Sequence, residues 1–177
     1  MRPRQIVEYR ALRDTIRERG TARAWILVAG LVAWAGLVLA TLALGVPPLA
    51  TLLPLLVLAG VFEAVFALHV GVERIGRYIQ VFFEEGGGWE QVAMAYGQSH
   101  RGGTDPLFTV FFLAATALNF MPVLLAEPVA IEVAALGAAH AGLAARILVA
   151  CRTAARQRAV DLERFQQIKG ASGPAQS

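Results

Sequence analysis

Apolar residues are gathered into four long runs along the chain, separated by short or polar stretches. The runs cover residues 24–46, 48–72, 107–126 and 128–150. A helix needs about 20 apolar residues to cross about 30 Å of hydrocarbon, so each run is long enough to span a bilayer. The prolines in "VPP" and "EP" leave almost no loop after the first and third runs, which favours two tight hairpins. The pattern predicts an all-α integral membrane protein with four transmembrane helices in two hairpins, forming a single membrane domain over residues 1–170.

Amphipathic segments flank the apolar runs and predict further helices. These segments are residues 1–20, 73–85 and 152–169. Gly20 and Thr21 have the residue types of a helix end followed by an N-cap, so we expect a separate leader helix before the first span. No proline interrupts 55–85, and the second span is expected to continue as one helix to about Glu85. The leader is expected either to pack on other helices or to lie flat on anionic headgroups.

The longest irregular stretch is the glycine-rich segment 86–106. It predicts a mobile cytoplasmic loop, with one or two helical turns around "WEQVAMAY". A catalytic cluster of His100, Arg101 and Asp105 is conceivable, but a flexible polar linker is the simpler interpretation. The loop contains neither a Walker pattern nor a dinucleotide-binding pattern. The last residues, 170–177, have the composition of a disordered tail.

The overall composition agrees with a membrane protein. The 177-residue chain is 56% hydrophobic and 16% charged, and its mean hydropathy is +0.55. A soluble domain carries about 25% charged residues, so too little polar surface remains here for a soluble globule. Cys151 is the single cysteine, and an intramolecular disulfide is therefore excluded.

All sixteen basic residues lie on one side of the predicted topology. They occur before the first span, between the second and third spans, or from the end of the fourth span onward. Because basic segments remain in the cytoplasm, both termini are expected to be cytoplasmic. This bias, rather than nucleic-acid binding, explains a pI near 9.6. Fifteen of the sixteen are arginine, which favours a GC-rich bacterial genome, so we expect a multi-pass protein of the bacterial inner (cell) membrane.

Four polar side chains within the predicted spans are candidates for an ion or ligand site. They are Glu63, Asn119, His140 and Arg146. A rise of about 1.5 Å per residue places Glu63, His140 and Arg146 in one layer of the bilayer. Charged groups at this depth normally face the bundle interior in pairs. We expect Glu63 to be buried and paired with Arg146 or His140, with Arg146 favoured and Asn119 supporting the pair. The alternative is a proton-titrating Glu63 that lines a pathway or cavity.

A second polar group forms a row near the predicted inner boundary. His69, Glu73 and Arg77 are spaced by four residues, so they share one helix face. A Glu73–Arg77 pair with His69 beside it is the expected arrangement. The sequence has neither an HExxH nor a CxxC pattern, so no metal site is predicted. A haem held by His69 and His140 is disfavoured because their depths differ by roughly 14 Å. No cofactor is expected.

Small side chains recur at helical spacing in the first and fourth spans. The two stripes are Ala29, Ala33, Gly36 and Ala40, and Ala134, Ala138, Ala141 and Ala145. Such stripes let helix backbones approach closely in lipid. They are expected to pack inside the bundle or to form a homo-oligomer. The expected partners are the lipid bilayer and a second copy or an unidentified membrane or cytoplasmic protein.

The sequence has no evident catalytic motif, and an enzyme using the 86–106 loop is the least favoured class. The first expectation is a small integral inner-membrane protein that scaffolds, senses or regulates through its cytoplasmic helices. The alternative is a small proton-coupled transporter or channel subunit that uses Glu63.

Overall fold

The computed structural model describes residues 2–84, 87–99 and 106–172. Within these residues the chain forms helices and no strands, which confirms the all-α prediction. The helices are α1 (Pro3–Leu44), α2 (Leu52–Phe82), α3 (Trp89–Ser99), α4 (Pro106–Leu125) and α5 (Ala130–Ser172), with a 3-10 turn at Pro48–Thr51.

Three helical segments are long and apolar enough to cross a membrane. They are Pro3–Leu44, Pro48–Phe82 and Ala130–Ala171, and Thr109–Leu125 is a shorter apolar helix. Their length and composition agree with a membrane-embedded protein.

Two of the predicted helix boundaries are wrong. α1 continues through Gly20 and Thr21 without a break, because an interior glycine costs only about 1 kcal/mol and neighbouring residues favour helix. The tail segment is likewise not a separate helix, since α5 extends from Ala130 to Ser172. This helix also includes the first residues of the predicted disordered tail, and 173–177 lie outside the described residues.

The two remaining predictions concern the length of α2 and the helical turns in the 86–106 segment. The continuous helix through Gly71 and Gly76 is confirmed, although α2 ends at Phe82. The expected one or two turns in the 86–106 segment are a longer helix, α3, with 11 residues. Residues 85–86 and 100–105 of this region lie outside the described part of the chain.

Both short connections contain a residue in the left-handed backbone region. Gly45 has φ 57° after the end of α1, and Glu127 has φ 47° after the end of α4. A left-handed residue at this position ends a helix, and glycine adopts it without steric cost. Prolines follow both residues and prevent the helix from continuing.

The chain divides into two compact units. The apolar unit comprises the described residues of Arg23–Phe66 and Asp105–Cys151, and the charged unit comprises those of Met1–Ala22, Ala67–Thr104 and Arg152–Ser177. The core of the apolar unit is formed by α2, α4 and α5: Leu55, Leu58, Phe62, Val65, Phe112, Ala115, Leu143 and Ile147. Phe62 and Phe112 meet edge to face with their ring centroids 5.3 Å apart, an arrangement that aromatic pairs favour.

Aromatic residues form the packed cluster of the charged unit. Tyr78 lies 5.7 Å from Phe165 of α5 and 4.7 Å from Phe82, between ring centroids. Tyr9 of α1 lies 5.8 Å from Phe83. The aromatic residues at and just after the end of α2 are therefore covered by both α1 and α5. The N-terminal segment packs on protein at this point.

Candidate functional site

The predicted row on α2 is the starting point of the site in the charged unit. His69 Nε2 lies 3.4 Å from Glu73 Oε1, and Arg77 Nη2 donates to Glu73 Oε2 at 3.2 Å. The expected Glu73–Arg77 pair with His69 beside it is present. Helical spacing produces this contact directly, because residues four apart are neighbours on a helix surface.

Helix α5 adds two charged residues that the sequence analysis did not identify. Arg158 Nε donates to Glu73 Oε2 at 3.0 Å, so one carboxylate oxygen accepts from two guanidinium groups. Asp161 Oδ2 lies 3.7 Å from Arg77 Nη1 and 3.2 Å from Arg74 Nε. A signal did exist, since Asp161 is three residues after Arg158 and four before the apolar position 165. An acidic residue at that spacing shares a face with the arginine and with the packed side of the helix.

The centre of this network is buried, whereas Arg74 at its edge is 52% exposed. Arg77 is 4% exposed and Asp161 is 7% exposed. Three guanidinium groups (Arg74, Arg77 and Arg158) meet two carboxylates (Glu73 and Asp161). Burial lowers the pKa of Arg77, and the nearby carboxylates raise it without fully offsetting the burial. An arginine nevertheless stays charged in a protein.

Two donor atoms of the network are unused. Arg77 Nε and Arg158 Nη2 are buried and have no hydrogen-bond partner among the described residues. Leaving a buried donor unpaired costs about 1–3 kcal/mol, and more when the group is charged. The ion pairs of this network therefore leave two buried N–H donors without an acceptor among the described residues.

A cavity of about 670 Å³ is bounded by this network. Glu73, Arg77 and Arg158 are part of its wall. The apolar part of the wall consists of Ile16, Val72, Ala93, Ala155, Ala159 and Leu162. Three of these six residues are alanines, whose side chains are too short to fill the space between helices. The cavity thus results from small residues placed next to long charged ones.

Glu90, at the start of α3, is a further charged residue on the cavity wall. Arg13 of α1 donates to Glu90 at 2.5 Å. Burial lowers the pKa of Arg13, but hydrogen bonds with Tyr9 and Glu90 outweigh this effect and raise it. Glu84 caps α3 by accepting from the backbone N–H of Glu90 at 3.0 Å and of Gln91 at 3.2 Å. A carboxylate at a helix N-terminus satisfies free N–H groups and stabilises the helix.

Asn119 is the centre of a separate polar network in the apolar unit. Its Oδ1 accepts from Trp34 Nε1 at 3.0 Å, and its Nδ2 donates to the carbonyl of Thr51 at 3.1 Å. Asn119 Nδ2 also contacts His140 Nε2 at 3.0 Å, and His140 Nδ1 lies 2.7 Å from the carbonyl of Leu136. Tryptophan can only donate and a carbonyl can only accept. The amide orientation and the Nδ1–H tautomer of His140 are thereby fixed.

Glu63 is paired, but not in the predicted setting. Arg146 Nη2 donates to Glu63 Oε2 at 2.8 Å, which agrees with the favoured partner. The pair is not buried, because the side chains of Glu63 and Arg146 are 47% and 46% exposed. His140 and Asn119 bind each other instead of supporting this pair.

The rotational position of Glu63 on α2 explains the wrong burial prediction. Leu58, Phe62 and Val65 define the core face of this helix. Each residue is turned by about 100° from the previous one, so Glu63 lies to the side of that face. On α5, Arg146 directly precedes the buried Ile147, so it also lies to the side of the core face of its helix. Depth along a helix indicated the partner correctly but carried no information on which side the pair faces.

The arrangement in the charged unit has the features of a binding site: a cavity, an apolar wall and a few charged groups at fixed positions. His100, Arg101 and Asp105, the other possible cluster, lie outside the described residues. Comparison with protein-family models, with curated proteins and with solved structures finds no match to this chain.

Proposed function

We propose that this chain is a four-span protein of the bacterial inner membrane, with both termini in the cytoplasm. The distribution of the sixteen basic residues supports this topology. The fourth span would be α4, whose 20 residues correspond to about 30 Å of helix. In this topology the segments of the charged unit face the cytoplasm.

We further propose that the protein is a sensor or regulator, and that the charged unit is its functional part. The cavity bounded by Glu73, Arg77 and Arg158 is the observation that carries this proposal. A ligand in that cavity would contact residues of α1, α2, α3 and α5 of the charged unit. Occupancy would thus change the stability of the surface that these helices present to the cytoplasm.

Proton transport through Glu63 has less support. Its carboxylate is already held in an ion pair with Arg146 at 2.8 Å, and Glu63 is not part of the wall of the cavity described above. A proton-flux assay in vesicles distinguishes the two functions. We expect the wild type and Glu63→Gln to show equal flux. Flux that Glu63→Gln abolishes at unchanged stability would favour the transporter.

The topology is tested by thiol labelling in a Cys151→Ser background. Serine retains a hydroxyl for the contact that Thr109 Oγ1 makes with Cys151 Sγ at 3.0 Å. Cysteines at Val46 and Glu127 should react with an impermeant reagent from outside intact cells. Cysteines at Ala95 and Val160 should react only after lysis. Labelling of position 95 in intact cells would contradict the four-span arrangement.

The sensing role is tested by ligand-dependent hydrogen exchange of the full-length protein in detergent. Panels of small anions, cations and neutral amphiphiles are the probes. We expect one class to slow exchange in α3 and near Ala159, and we expect Ala159→Leu to remove the effect by filling the cavity. If no class slows exchange there, the sensing proposal is wrong.

A further inference from the structure

The unused arginine donors indicate what kind of ligand the cavity accepts. Arg77 and Arg158 both line the cavity, and both already donate to Glu73 Oε2. Their remaining buried donors, Arg77 Nε and Arg158 Nη2, have no partner in the described part of the chain. Two guanidinium groups with free N–H bonds are suited to an oxyanion, whose oxygens accept from both.

Burial of Arg77 leads to the same conclusion. Its side chain is 4% exposed, and burial lowers its pKa. A bound anion beside it would compensate for this burial, because an opposite charge favours the charged form.

We propose that the cavity binds a ligand through a single phosphate or carboxylate group, which accepts hydrogen bonds from Arg77 Nε and Arg158 Nη2. This inference rests on the function proposed above and specifies its ligand. The cavity volume of about 670 Å³ lies within the range of about 300–1,000 Å³ typical of small-molecule sites. Phosphate alone would leave most of it empty, so the ligand carries an apolar body against the alanine-rich wall.

Acidic residues on the same wall limit the charge of the ligand. Glu90 and Glu163 line the cavity together with Glu73. They would repel a ligand with several anionic groups, such as a nucleoside triphosphate. One anionic group on an apolar body is also the chemistry of a phospholipid. The ligand is therefore either an anionic membrane lipid or a soluble amphiphilic phosphate or carboxylate.

The first experiment measures anion binding to the full-length protein in an uncharged maltoside detergent. The probe is inorganic phosphate, with chloride at equal ionic strength as the reference, and the readout is thermal unfolding. We expect phosphate to raise the midpoint more than chloride does. Arg158→Gln should weaken phosphate binding about 10- to 100-fold, as expected for the loss of a charged hydrogen bond.

The control variant is Arg156→Gln, which removes an exposed arginine two residues away on the same helix. It should bind phosphate as the wild type does. Equal weakening in Arg156→Gln and Arg158→Gln would mean general charge attraction and would overturn the inference. Because Arg158→Gln also removes a partner of Glu73, Arg158→Lys is the second variant. It keeps the positive charge without the guanidinium fork, and it should fold and bind phosphate less tightly than the wild type.

The second experiment identifies the source of the anion. The protein is placed in phosphatidylcholine vesicles with or without phosphatidylglycerol, and hydrogen exchange is followed in α3 and around Ala159. If the ligand is a lipid, phosphatidylglycerol slows exchange and Ala159→Leu abolishes the effect. If it is soluble, inorganic phosphate slows exchange equally in both vesicles. Either result supports the oxyanion.

The same readout separates this inference from the broader sensing role. A cation or neutral amphiphile that slows exchange in the wild type and in Arg158→Gln, but not in Ala159→Leu, would preserve the sensor and overturn the oxyanion. Failure of every probe would overturn both.

Discussion

The half-exposed ion pair of Glu63 and Arg146 provides a sharp test of the surroundings of the apolar unit. An ion pair exposed to water contributes only about 0.2–1 kcal/mol. A charge left alone in hydrocarbon costs about 2.5–3.5 kcal/mol on insertion scales. Because the two side chains are 47% and 46% exposed, the medium around them decides which figure applies. The pair thus measures the medium that surrounds it.

We expect Glu63→Gln and Arg146→Gln each to destabilise the protein by about 2–3 kcal/mol in bicelles, since each strands one charge in lipid. The double variant strands none and should lose less than either single variant. Leu148→Gln, which places the same amide at another exposed position of α5, is the control for glutamine itself. The assay is reversible unfolding by steric trapping. Losses below about 1 kcal/mol for both single variants, or losses that simply add, would refute this reasoning.

Three further predictions concern other contacts. Asn119→Leu should destabilise the apolar unit by about 2–4 kcal/mol in the same assay, because it leaves the donor of Trp34 and the carbonyl of Thr51 unpaired; an unchanged stability would contradict the network. Gly76→Ala should displace Glu90, whose Oε2 lies 2.9 Å from the position of the new Cβ. Faster hydrogen exchange is therefore expected at the start of α3, and unchanged exchange would contradict this steric prediction. Burial and the hydrogen bond to Glu8 raise the pKa of Tyr78; the stability from this tyrosine is therefore present below its ordinary pKa and is lost as pH rises through the raised value. Thermal unfolding at alkaline pH should show this loss in the wild type and not in Tyr78→Phe, and equal pH profiles would contradict it.

The helices were predictable because their signals are local. Apolar runs gave the helical class, and the absence of a break signal between 55 and 85 gave the continuous α2. The predicted break at Gly20 failed because a glycine that costs about 1 kcal/mol cannot interrupt a helix with good formers on both sides. The wrong boundary before the tail has a similar origin, since no proline interrupts α5 after Ala130.

The site was predictable only on one helix. His69, Glu73 and Arg77 follow from spacing along α2, whereas Arg158 belongs to α5, 85 residues from Glu73. The spacing of Arg158, Asp161 and position 165 indicates one face of α5. A single sequence gives no distance between helices, so it does not show that this face meets α2. The cavity is harder still to predict, because it depends on what Ala155 and Ala159 leave unfilled. Small residues indicate close packing and open space equally well.

The contacts of Asn119 also have a consequence for how the protein is built during synthesis. Trp34 and Thr51 precede Asn119 in the chain, whereas His140 follows it by 21 residues. Proteins emerge and fold from the N-terminus, so two of the three partners are already made when α4 is released. A polar amide without partners in an apolar environment costs several kcal/mol, which favours docking of α4 on Trp34 of α1 and on the turn at Thr51 before α5 is complete. His140 then forms the last hydrogen bond. The order of Asn119 and its three partners along the chain thus favours the order in which their helices dock.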